Sequence, residues 1–153
     1  MTKLTDNFSL EELSFSSMAV RKSIPNIPNE DDVDNLTILA SKVLEPLREE
    51  INCPIRILSG YRCLTVNKLV GGSLTSQHMN GQAADIIPIG MDLKKCYNRI
   101  KLMIKEKRLV VDQCIYEFDS WIHISFTALR ENRNEFLIAK KVHGVTTYTK
   151  DKV

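Results

Sequence analysis

The stretch VVDQCIYEFDSWIHISF, Val110 to Phe126, is dense in β-branched and aromatic residues on both sides of Asp119-Ser120. Such residues suit a pleated, half-buried surface, and Asp and Ser favour turns. The stretch predicts two strands, VVDQCIYEF and WIHISF, joined by a tight turn at Asp119-Ser120. In WIHISF the alternation is strict, so every second side chain aims at one face. In such a hairpin, directly opposed residues point to the same face.

Working outward, AADIIPI (83–89) reads as a strand stopped by Pro88, and PIRILSG (54–60) as a half-buried strand ending in glycine. Between AADIIPI and the hairpin, DLKKCYNRIKLMIK (92–105) carries an apolar stripe of Leu93, Cys96, Tyr97, Ile100, Met103 and Ile104 behind Asp92 as N-cap. From Asp31 to Glu50, apolar residues such as Val33, Leu36, Leu39, Val43 and Leu47 recur at three- and four-residue spacing, predicting a helix. Pro46 should kink or end that helix near Val43. Ser9 and Glu12 in SLEEL form a capping-box pattern, so a short helix starts near Leu10. SIPNIPNEDD (23–32) is an extended surface connection, and after Phe126 a polar, arginine-bearing segment leads to one weak last strand around GVTTYT (144–149). This order places the chain in the α+β class, with helices packed on a mostly antiparallel sheet.

With 153 residues, 43% hydrophobic and 26% charged, the chain reads as a single domain over 1–153 that needs no staple. Its net charge of +2 gives no reason to expect a nucleic-acid partner, while leaving attraction to an anionic polymer open. No apolar run is long enough for a membrane span, and MTKLTDNFSL lacks a signal-peptide core. The expectation is a cytoplasmic protein as synthesised, with no membrane partner. Cys53, Cys63, Cys96 and Cys114 form no C-x-x-C pair and read as reduced, mostly buried thiols.

Histidine is scarce, at His78, His123 and His143. In SQHMNGQAADI (76–86), His78 and Asp85 flank Gly81, where the chain can turn back, while Ala83 and Ala84 leave space. These two residues are candidate metal ligands, with His123 in WIHISF as the third, since zinc takes nitrogen and carboxylate donors at about 2 Å. His143, beside Gly144 in a polar tail, is the weakest candidate. The competing reading of each histidine is a hydrogen-bonded core or surface residue, and an H-x6-D spacing alone does not choose.

The segments SGYRCLTVNKLVGGSLTSQHMNGQAADI and QCIYEFDSWIHISF together resemble the zinc D-Ala-D-Ala carboxypeptidase family of peptidoglycan metallopeptidases. The shared features are the S-G-Y-R turn, the S-x-H-x6-D segment and the final W-[IV]-H strand. FSLEELSFSSMAVRKSIPNIP and LEPLREEINCPIRI resemble a phage and gut-bacterial branch, so the likeness covers roughly residues 8 to 135. The resemblance implies the hedgehog/DD-peptidase fold and one zinc ion held by His78, Asp85 and His123. It implies a catalytic and substrate-binding role for Arg62, whose planar fork suits a carboxylate or a polarised carbonyl; a plain salt bridge is the alternative. Ser76, beside the first ligand, either contacts the peptide or orders the loop.

The catalytic base is less direct. Many relatives carry an acidic residue three positions before the last histidine, where this chain has Ser120. The nearby carboxylates are Glu117 and Asp119; Glu117 is preferred because this branch often ends the strand in an aromatic-Glu pair, as YEF does, and Asp119 is the alternative base. A two-residue turn would pair Tyr116 with His123 and turn Glu117 away. A three-residue turn or a bulge is expected to pair Glu117 with His123 and aim both at the metal.

The function implied is hydrolysis of peptide bonds in peptidoglycan stem peptides, by a D-Ala-D-Ala carboxypeptidase or an endolysin-type endopeptidase. A muropeptide is then the partner, the protein is a monomer, and action on the wall follows release at lysis. Two alternatives are a non-catalytic zinc module binding a wall peptide or protein, and a structural phage protein used in wall penetration. With no separate wall-binding domain in view, substrate capture falls to the cleft.

Overall fold

In the computed structural model, which describes residues 1–153, local capping sets the helix starts. Ser9 opens α1 (Leu10–Ser14): its hydroxyl accepts from the Glu12 N–H, and the Glu12 carboxylate accepts from the Ser9 N–H. Asn29 and Asp32 repeat the capping box at α3 (Glu30–Leu39). Between them lies a helix not anticipated from sequence, α2 (Ser17–Lys22), whose six residues carry little periodicity.

The long helix does not stop near Val43. It passes through a π-helical turn (Ala40–Leu44) into α4 (Glu45–Ile51). Pro46 falls in the first turn of α4, where a missing N–H costs little, and the wider turn before it absorbs the change in hydrogen-bond register. Asp92 caps α6 (Leu93–Lys105), preceded in the chain by the short α5 (Leu64–Leu69).

Six strands, β1 (Ile55–Ser59), β2 (Ala83–Pro88), β3 (Gln113–Glu117), β4 (Trp121–Ser125), β5 (Glu135–Val142) and β6 (Val145–Asp151), form one sheet. Their spatial order is β1-β2-β4-β3-β5-β6, and only the β3–β5 pair is parallel. The fold is thus α+β with a mostly antiparallel sheet. One expectation needs correction: the region read as a single weak strand holds two, β5 and β6, turning at His143 and Gly144, both with positive φ. In β5 only Phe136 and Ala139 are well buried and they lie on opposite faces, so with Lys140 and Lys141 following no period of two marks the strand.

The period of two gives the sheet two characters. Ala84, Ile86, Cys114, Tyr116, Ile122 and Ile124 belong to the buried core shared with α6 and the α3–α4 helix. Tyr97 of α6 packs on Tyr116 and Phe136 at ring separations of 5.3 and 5.7 Å. The alternate residues Asp85, Ile115, Glu117 and His123 therefore lie on the other face.

The β3–β4 connection is Phe118–Ser120, one residue longer than the expected Asp119-Ser120 turn. Phe118 and Asp119 both adopt left-handed backbone (φ 55° and 53°), and Ser120 N–H donates to Glu117 O at 2.9 Å. The odd turn does bring Glu117 and His123 to one face. It does not pair them: Glu117 opposes Trp121 and His123 opposes Ile115, because each added loop residue shifts the register by one.

Ahead of β3, Asp112 has no exposed side-chain surface and is gripped by two guanidinium forks. Arg130 reaches its oxygens at 2.8 and 2.9 Å, and Arg133 at 3.1 and 2.8 Å. Burial alone would raise this carboxyl; Arg130 and then Arg133 overcome that and hold it well below the usual carboxylate range. Asp112→Ala is expected to destabilise the fold by about 3 kcal/mol in urea unfolding, the low end for a broken buried pair because both arginines can rehydrate. The carboxyl is depressed in the folded state, so its contribution is present above pH about 4 and is lost as pH falls below that toward the folded value. Wild type should lose stability over that acid range, and the variant should lose less.

Candidate metal centre

His78 sits in a 3-10 turn, Gln77–Asn80, shaped at both ends. Ser76 caps it, its hydroxyl accepting from the His78 N–H at 3.2 Å. Gly81 closes it at φ 69°, where a Cβ would lie 2.4 Å from the Asp32 carbonyl. The imidazole is 2% exposed and its Nδ1 is 2.7 Å from Gly60 O. A carbonyl only accepts, so Nδ1 carries the proton and Nε2 presents its lone pair. Burial pushes His78 toward the neutral form against the pull of Asp85.

That lone pair faces Asp85 Oδ1 at 3.2 Å, and His123 Nδ1 reaches the same oxygen at 3.2 Å. The second contact follows from register, since Asp85 and His123 are direct partners across β2 and β4. One donor atom from each of the three residues lies within 4.8 Å of the others. Donors about 2 Å from a tetrahedral ion lie roughly 3.3 Å apart, so the spacing fits zinc with a fourth position left open. The Gly60 carbonyl is the kind of partner that fixes the tautomer of a ligating imidazole. His143, in the β5–β6 turn, is exposed and is not part of the cluster.

Arg62 touches this cluster through one of its three side-chain hydrogen bonds. Its guanidinium donates to Asp85 Oδ2 at 3.0 Å, Ser59 Oγ at 2.9 Å and Asn67 Oδ1 at 3.4 Å. Asp85 is thereby shared: one oxygen faces the imidazoles and the other takes the arginine. Burial raises the Asp85 carboxyl, but His78 and His123 outweigh it and keep it ionised.

Glu117 Oε1 lies 3.8 Å from His123 Nδ1. Burial raises its carboxyl above the usual value, with His123 opposing. Asp119 is exposed and sits toward the other face, where burial first and then Asp119 raise the Tyr116 phenol. Of the two carboxylates considered from sequence, only Glu117 reaches the cluster.

Arg62, His78, Asp85, Glu117 and His123 line a groove of about 1050 Å³ that also takes in Trp121, Leu137, Lys141 and Tyr148. The indole Nε1 of Trp121 is buried without a hydrogen-bond partner. Burial, Glu117 and Asp85 together raise the Tyr148 phenol. Sequence reasoning did not find Leu137, Lys141 and Tyr148, all on β5 and β6. A signal was available: residues 137, 139 and 141 must share a face once β5 is recognised as a strand.

A family model described as Peptidase M15 matches residues 6–125. The matched span contains His78, Asp85, His123, Arg62, Ser76 and Glu117. No curated protein matches the chain.

Proposed function

The chain belongs to the peptidase M15 family, and from that premise we propose that it is a zinc metallopeptidase hydrolysing peptide bonds of peptidoglycan stem peptides. The observation that carries this reading is the convergence of His78 Nε2, Asp85 Oδ1 and His123 Nδ1, with Glu117 3.8 Å from His123 on the same sheet face. His78, Asp85 and His123 would hold the ion. When bound, zinc supplies Lewis-acid polarisation of a carbonyl and lowers the pKa of water.

The chain's own groups do the rest. Glu117 accepts a proton from the attacking water, a task its raised carboxyl suits, and passes it to the leaving amine. Arg62 fixes Asp85 and turns its remaining N–H groups toward the oxygen that gains charge at the scissile carbonyl. Ser76 orders the His78 turn, its hydroxyl engaged by the His78 N–H. A non-catalytic binding module has no need of a half-buried carboxylate beside the metal ligands, so Glu117 weighs against that reading.

The test is to incubate zinc-loaded protein with purified muropeptides and identify products by mass spectrometry. Release of terminal D-Ala supports a carboxypeptidase, and a cut within the stem supports an endopeptidase. Intact muropeptides with one zinc per chain would overturn the proposal in favour of the binding module.

A further inference from the structure

Strand register extends the site well past the metal ligands. Row by row across the sheet, Asp85, His123, Ile115, Leu137 and Lys150 align, and beside them Trp121, Glu117, Ala139 and Tyr148. One step further, Lys141 opposes Thr146. Cross-strand partners share a face, so β5 and β6 continue the groove floor from Glu117 outward. Leu137 and the buried Ala139 keep that floor low and apolar, while Tyr148, Thr146 and Lys141 rise from it. All lie outside the residues matched by the family, 6–125, so membership assigns them no role.

Charge singles out one of them. Four cationic side chains line the groove: Arg62, Arg130, Arg133 and Lys141. Arg62 is paired to Asp85 at 3.0 Å; Arg130 and Arg133 share Asp112 at 2.8 Å each, and Arg133 also lies 3.9 Å from Glu135. Lys141 has no carboxylate partner; its ammonium is 5.9 Å from the centre of the Phe118 ring. Of the four cations that line the groove it is the one without a carboxylate; Lys150, on the same face at the sheet edge, is not among the lining residues.

Resting on the peptidase reading above, we propose that the β5–β6 hairpin is a specificity wall on which Lys141 binds a carboxylate of the substrate, with Tyr148 flanking the peptide. Two strand spacings and four residues of rise put the Lys141 Cα roughly 16 Å from that of His123. The lysine stem shortens the gap to the ligand, and an extended peptide advances about 3.4 Å per residue. The recognised carboxylate therefore belongs to a residue three or four positions from the scissile bond, not to the leaving residue. The substrate class is an anionic peptide with its acidic group remote from the cut.

Binding tests this without requiring turnover. Zinc-loaded Glu117→Gln protein is titrated with two series of blocked peptides, extended to either side of a D-Ala-D-Ala bond. Each carries one Glu, or Gln as control, one to four residues from that bond. Trp121, the chain's single tryptophan and a groove residue, reports by fluorescence. The expected result is about tenfold tighter binding of Glu over Gln at the third or fourth position of one series only. In the Lys141→Ala background that preference should vanish, in Lys141→Glu invert, and in Lys141→Arg persist. Peptide binding with no Glu preference, or with the same preference in Lys141→Ala, overturns the assignment and leaves the peptide-substrate reading standing. Absence of any peptide binding overturns both.

Discussion

Glu117→Gln is expected to lower kcat on the cleaved muropeptide by about a thousandfold, within the range of general acid–base catalysis and equal to about 4 kcal/mol of barrier. Zinc content should stay at one ion per chain. The amide keeps the size of the side chain and its place beside His123 but cannot take a proton. The substitution also removes a carboxylate that burial has pushed upward, so the fold should be no less stable than wild type by urea unfolding. Zinc by atomic spectroscopy and kcat by product chromatography, on the same preparation, decide the matter. Unchanged turnover would remove Glu117 from the chemistry, and Asp119 could replace it only if the Phe118–Ser120 turn rearranged. Loss of zinc equal to the loss of turnover would make Glu117 a ligand instead.

The second large effect separates binding from proton transfer. His78→Ala should lose the ion and all measurable hydrolysis together. The remaining pair, Asp85 and His123, offers two donors where a catalytic zinc site uses three protein ligands. Dialysis against a weak chelator, followed by metal analysis, should leave Glu117→Gln loaded and His78→Ala empty. Retention of stoichiometric zinc in His78→Ala would exclude the three-residue site. Removing His78 also exposes the Gly60 carbonyl, 2.7 Å from the ring in wild type.

Much of this is legible in the amino-acid sequence. Capping at Ser9, the apolar stripe of α6 and the alternation in WIHISF depend on neighbours in sequence, and each formed where expected. Convergence of His78, Asp85 and His123 was suggested by residue type and family likeness; sequence spacing alone could not supply it. It depends on a cross-strand partnership between β2 and β4, which only the sheet order decides. The three-residue turn required to bring Glu117 and His123 to one face did form. The direct pairing expected of it did not, because closing the hairpin with Phe118–Ser120 sets Glu117 opposite Trp121. Of the β5–β6 hairpin, β6 was expected around GVTTYT; β5 escaped because Lys140 and Lys141 end a strand whose apolar alternation is weak.

The Gly60 carbonyl ties the timing of assembly to the capacity to hold an ion. Gly60 sits so close to α1 that a Cβ would lie 2.1 Å from Leu13 O, and the next N–H, of Tyr61, donates to that oxygen at 2.7 Å. The N-terminal helix thus latches the peptide whose carbonyl orients His78. Residues made first by the ribosome must wait for the central segment before they can latch it, and β4 comes later still. A nascent chain therefore has no finished binding site until both ends of the matched region have docked. On the metal site proposed above, capture of an ion reports that α1, the central segment and β4 have docked, ahead of β5 and β6, which follow in the chain.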